Sequence, residues 1–240
     1  PGRDAHLYEK ALGRLSTAVH SLGIHSSPNG LKAICSRDGR RSGLRPKVAA
    51  LVRIKHMYDV PNMLNQYKAH IWSKIEYYNG ALLIAGEIRL RKLDKMQRGF
   101  LYELGLDDRI AFVEHNFAPP SLRRAIGMLG FLHKRVLGVC HPALQHIFPA
   151  RVGIANEFHS KQLESYFDDV RGHAALYNNS IYMYIAMYNR LPQVLVDSES
   201  VSTFQSRLTQ LAKLRAQQDD GLGWRSSFQS CADIVNFFQA

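Results

Sequence analysis

RLRKLDKMQRGFLYEL, residues Arg89 to Leu104, decides the fold class. Leu90, Leu93, Met96, Phe100, Leu101 and Leu104 recur at the three- and four-residue intervals that put side chains on one helical face. Arg91, Lys92, Lys95 and Arg98 fall on the opposite side, as a solvated or phosphate-facing surface. The same periodicity recurs in both directions from this stretch. Upstream, Lys47 to Met57 is helical in pattern. Asp59-Val60-Pro61-Asn62 then reads as a turn, followed by a helix from about Met63 with Leu64, Tyr67, Ile71, Ile75 and Tyr78 on one side. Proline is tolerated in a first helical turn but not inside a helix. Downstream, Pro119 and Pro120 stop what precedes, and Ser121 is placed to cap a helix whose core face is Leu122, Ile126, Leu129, Leu132 and Val136. Its outer face offers Arg123, Arg124, Lys134 and Arg135.

The two ends follow the same pattern. Leu7 to Leu22 reads as a first helix closed by Gly23. Cys140 to Asn156 reads as irregular or built from short turns. A helix of tyrosines and methionines follows near Asn179 to Tyr188, stopped at Leu191-Pro192. Ser200 to Leu214 ends the periodic part, with Phe204, Leu208 and Leu211 inward. The expected fold is all-α, an irregular bundle of six to nine helices. Its expected parts are an N-terminal helix (1–25), a basic Gly/Ser/Arg arm (26–46), a main helical domain (47–150), a C-terminal helical segment (151–215) and a tail (216–240).

Of 240 residues 46% are apolar, enough to fill a core, and 31 basic against 20 acidic residues give a formal charge of +11. A polyanion is the charged partner this composition suits, because neutralised phosphates release condensed counterions. The charge is uneven. Leu31 to Val60 carries eight basic and two acidic residues, Arg151 to Ser200 four basic and six acidic. Any polyanion-binding side therefore belongs to the first half and the middle helices. The expected RNA contacts are Arg37, Arg40, Arg41, Arg45, Lys47, Arg53, Lys55, Arg91, Lys92, Lys95, Arg98, Arg123, Arg124, Lys134 and Arg135. Within them SRDGRRSGLRPK, Ser36 to Lys47, reads as an RNA-contacting arm ordered by its partner, since arginine holds phosphate through two hydrogen bonds or stacks on a base.

Three dispersed cysteines, Cys35, Cys140 and Cys231, argue against a disulfide framework and for a reducing compartment. No run approaches the roughly 20 apolar residues of a membrane span. The chain begins at Pro1 rather than Met, which suits a longer precursor, an unseen leader or a tag scar.

Catalytic signals are weak. Tyr166-Phe167-Asp168-Asp169 resembles the Tyr-x-Asp-Asp turn of two-metal polymerases, but it lies between helical patterns with no strand supplying another aspartate. It reads as a solvated acidic turn or helix cap. His133, Cys140, His141, His146 and His159 lack zinc-site spacing, and Cys140 has no evident base and orienting group. The glycines at 80, 86, 99, 105, 127, 130 and 138 form no nucleotide loop and mark helix contacts or caps. Tyr177, Tyr182, Tyr184 and Tyr188 could stack on bases, yet with Ile181 three of them share a helical face, the pattern of an aromatic core stripe. No cofactor, metal or enzymatic activity is expected.

Four segments in order resemble the portion that follows the reverse-transcriptase core in polyproteins of non-LTR retrotransposons, especially the divergent kinds of dinoflagellate and related protist genomes. They run from Leu44 to Ala85, Leu90 to Leu106, Asn116 to Gly138 and Tyr188 to Leu208. LDKMQRGFLYELG is similar to the family's Leu-Asp, basic residue, Gln-Arg-Arg helix, and YNRLPQ to its Trp-Asn-x-Leu-Pro element, with Tyr188 as the aromatic. The four segments together span about two thirds of the chain, and the resemblance implies no catalytic residues, because the family's palm aspartates lie upstream of this region. It implies either a C-terminal fragment of a reverse transcriptase or a domesticated remnant that holds RNA. The favoured expectation is a non-catalytic RNA-binding subunit of a large ribonucleoprotein, a protist mitochondrial ribosome, with the nucleus as the alternative location. The rivals are the enzyme fragment and a helical protein-interaction adaptor.

Overall fold

The computed structural model describes residues 44–77, 87–151, 159–164, 181–218, 223–228 and 230–231. The expected helix Leu7 to Leu22, Cys35, Arg37, Arg40, Arg41, Tyr166 to Asp169 and Tyr177 lie outside them. The described chain is all-α: α1 (Arg45–Arg53), a 3-10 turn (Lys55–Met57), α2 (Val60–Tyr67), a π turn (Lys68–Trp72), α3 (Ser73–Tyr77), α4 (Glu87–Glu103), α5 (Asp108–His115), α6 (Pro120–Val136), α7 (Pro142–Ile147), α8 (Ile181–Tyr188), α9 (Gln193–Val196), α10 (Val201–Gln218) and a closing 3-10 turn (Gly223–Ser226). An isolated antiparallel bridge joins Ala150 and Leu163. No described helix is long and apolar enough to cross a membrane.

Local chemistry sets the helix ends. Asp59 accepts the Asn62 amide at 2.9 Å and Pro61 sits in the first turn, so α2 starts at Val60, a turn earlier than the spacing suggests. Arg45 and Lys47, expected at the end of the arm, belong to α1. Pro46 is acceptable in a first turn, and Leu44 and Val48 are buried on either side of it, which commits this stretch to the core. At the end of α4, Gly105 takes φ +65° and the Leu106 amide reaches back to the Leu101 carbonyl at 3.0 Å, a left-handed closure that a side chain would strain.

Two apolar cores result. The first gathers Leu44, Leu51, Met63, Leu64, Tyr67, Ile71, Trp72 and Ile75 against Leu90, Leu93, Phe100 and Leu101 of α4, with Ala111 and Phe117. Tyr67 packs on Phe100 with ring centroids 4.6 Å apart, and Trp72 stacks on Phe117 at 4.5 Å. The π turn supplies an extra residue per turn, so Ile71 and Trp72 both face inward. Gln97 is buried between Trp72 and Ala118: its side-chain carbonyl accepts the Trp72 indole N–H at 2.9 Å, and its amide donates to the Ala118 carbonyl at 2.9 Å.

The second core contains Phe112, Leu122, Leu129 and Leu132 together with Tyr184, Tyr188, Phe204, Leu208 and Ala212. The boundary expected at 150/151 therefore divides no core, because α8 and α10 pack directly on α6. Three described residues from the segment expected as a tail also join this core. Ala216, Trp224 and Phe228 are buried in this core, with Trp224 stacked on Phe112 at 5.3 Å. Gly130 lets α10 approach α6, since a Cβ there would meet the Gln205 side chain.

The Tyr188-to-Gln193 element is a structural hub. The Asn189 side chain accepts the Leu163 amide at 3.0 Å and donates to the Leu163 carbonyl at 2.8 Å, copying one rung of a strand ladder. His133 donates through Nε2 to the Ser198 carbonyl at 2.9 Å, so its Nδ1 accepts from the Tyr188 hydroxyl at 3.0 Å. His159 likewise donates from Nε2 to the Tyr188 carbonyl at 2.9 Å and accepts the Lys161 amide at Nδ1, 3.1 Å. Both rings are neutral and buried, and burial holds both below the ordinary histidine value.

Candidate nucleic-acid interface

The basic residues singled out by the sequence divide into two kinds once their partners are seen. Four of those on described elements serve internal contacts. Lys55 donates to the Glu103 carboxylate at 2.9 Å and to the Glu103 carbonyl at 2.8 Å, tying the first 3-10 turn to the end of α4. The Arg123 guanidinium lies 3.8 Å from the Trp72 ring centre and pairs with Glu76. Arg124 hydrogen-bonds the buried Tyr184 hydroxyl, and Arg135 donates to the Phe148 carbonyl at 2.7 Å. Tyr184 and Tyr188 are core, which answers the stacking alternative for these two.

The remaining cations face solvent. Arg91, Lys92, Lys95 and Arg98 are exposed on α4, opposite the buried Leu93, Gln97 and Phe100. Lys92 and Lys95, like Arg53 on α1 and Lys134 on α6, have no hydrogen-bond or ion-pair partner among the described residues. On α1, Lys47 touches Lys74, a lysine that the charge pattern of its own segment did not single out. The contact and the like charge hold Lys47 below the ordinary lysine value.

The acids of α4 near this face are already engaged. Asp94 turns away from it to accept the Ser121 amide at 2.9 Å. The expected cap of α6 is thus not Ser121 itself: Pro119 holds the N-cap position and has no side-chain acceptor, so a carboxylate from the neighbouring helix takes that role. Glu103 is neutralised by Lys55. Beside Asp94 a cavity of about 140 Å³ is lined by Arg98, Asp108, Pro119, Pro120 and Arg225 among others. Asp108 and Arg225 pair there at 2.5 Å. Burial pushes the Asp108 carboxyl up, and Arg225 and Arg98 pull it back. Two carboxylates against two guanidinium groups leave this cavity close to neutral.

One residue of the face was missed. Tyr102 is 83% exposed, the most exposed large apolar side chain among the described residues. Its position four residues after Arg98 and seven after Lys95 puts it on the polar side of the helix, a signal that the spacing itself carries.

No group of three or more His, Cys, Asp or Glu side chains is arranged to hold a metal among the described residues. His133 and His159 use both ring nitrogens in the hydrogen bonds described above. Cys140 and Cys231 are free thiols. The chain was compared with protein-family models, with curated proteins and with solved structures, and it matches none of them.

Proposed function

We propose that this chain is a non-catalytic RNA-binding structural subunit of a large ribonucleoprotein, with a protist mitochondrial ribosome as the setting suggested by its resemblance to the retrotransposon region. The observation that carries this reading is the solvent face of α4. Lys92 and Lys95 lack partners among the described residues, Arg91 and Arg98 lie beside them, and the acids Asp94 and Glu103 of the same helix are engaged elsewhere. A face of this kind attracts phosphate with little regard for base sequence. Arg53 on α1, Lys134 on α6 and the Lys47–Lys74 pair add further cations on other elements, and Arg37, Arg40 and Arg41 add charge in the preceding segment.

The test is a titration of labelled RNA with the whole chain at several salt concentrations. Log affinity should fall with log salt by roughly 0.7 to 0.9 per phosphate neutralised. A chain that ignores RNA at physiological salt is instead the protein-interaction adaptor.

A further inference from the structure

We propose that the outer face of α4 is a platform for single-stranded RNA, with Tyr102 stacking on an unpaired base and Lys92 and Lys95 holding adjacent phosphates. This rests on the RNA-binding reading and assigns the strandedness of its ligand.

Three observations carry it. First, Tyr102 is out of the core. It is 83% exposed, and its side chain makes no hydrogen bond or ring contact among the described residues. Second, it lies in line with the cations. At 1.5 Å per residue Lys95 and Tyr102 are two turns, about 10 Å, apart on the same side of the helix, with Arg98 between them. A strand following the helix axis meets charge first and a free ring next. Third, the carboxylate beside the ring is already neutralised, because Glu103 is held by Lys55 at 2.9 Å and leaves the phosphate path unopposed.

The combination selects among polyanions. A duplex keeps its bases stacked inside and offers an exposed ring nothing to pair with, and a helix does not enter the deep major groove of A-form RNA. An acidic peptide satisfies the lysines but has no use for an aromatic face. An unpaired strand uses both, since every base presents a π face and stacking tolerates any sequence.

The experiment compares parent, Tyr102→Leu, Tyr102→Phe and Lys92→Gln/Lys95→Gln chains against labelled oligouridine, an RNA duplex of equal length and a polyglutamate competitor. Leucine keeps bulk and helix propensity but removes the π face. Tyr102→Leu should weaken oligouridine binding by about fivefold or more while duplex binding stays the same, and Tyr102→Phe should stay within about twofold of the parent. The double lysine variant should lower the salt slope by about 1.4 on oligouridine, whereas Tyr102→Leu should leave that slope unchanged. Parent-like oligouridine binding by Tyr102→Leu, or equal losses on strand and duplex, overturns the platform and leaves the RNA reading standing. Displacement of oligouridine by polyglutamate at equal charge overturns it in favour of an acidic protein partner. A parent that binds neither RNA removes both readings.

Discussion

Lowering the pH should destabilise this fold through two histidines. His133 and His159 are buried, neutral, and clasp Tyr188 from two directions, His133 through the hydroxyl and His159 through the main-chain carbonyl. Burial holds each below its ordinary value of 6.5, so the unfolded chain takes up these protons first. The stability they contribute is whole above about pH 6.5 and is lost below it, until the folded values are reached. A second cost follows for His159: protonated Nδ1 cannot accept the Lys161 amide, which now faces it at 3.1 Å. Below about pH 6.5 the loss cannot exceed about 1.4 kcal/mol per pH unit for each ring, and it stops once the folded value of that ring is reached. Asp108, with its carboxyl pushed up by burial, has the opposite sign and gains stability on acidification, so it is not a source of the loss. Urea unfolding followed by circular dichroism from about pH 7.5 to 5.5 measures the slope directly. A His133→Gln/His159→Gln chain should be less stable at neutral pH but flatter with pH. A parent whose unfolding free energy is level from about pH 7.5 to 5.5 would refute the argument.

Two further outcomes test the packing. Asp94→Ala should cost about 1 kcal/mol, because the Ser121 amide loses its acceptor at the start of α6, and Asp94→Asn should recover most of it in the same chemical denaturation assay. Phe100→Ala should cost about 3 to 5 kcal/mol, since the ring is buried against Tyr67 and Phe117; a thermal melt matching the parent would show that α4 is misplaced.

Much of the fold was readable from spacing because each long helix has one apolar side. Leu90, Leu93, Phe100 and Leu101 of α4 and Leu122, Ile126, Leu129 and Leu132 of α6 are all buried, as periodicity requires, while Met96, Leu104 and Val136 lie at the margin. What spacing did not give were contacts made between elements. Nothing local marks Asp94 as the cap of another helix, or Gln97 and His133 as buried, since each owes its place to a partner more than twenty residues away. The same holds for the candidate site. Arg123, Arg124 and Arg135 carry the charge pattern of a phosphate face, and only the positions of Trp72, Tyr184 and Phe148 reveal that they are structural links. Lys92 and Lys95 were legible because their helix exposes a whole face.

The short helix α5 constrains how this chain can be dissected. Ala111 and Phe117 belong to one core, and their immediate neighbours Phe112 and Ala118 to the other. Consecutive residues are therefore committed to different cores in the middle of the helix and again just after its end. Cutting the chain on either side of α5 would leave one fragment carrying apolar side chains meant for the other. An eight-residue helix is too short to persist alone in water, so it would not remain folded to cover them. Fragments intended to keep the α4 face intact therefore need to run through α5 and into α6, whose first turn Asp94 also holds.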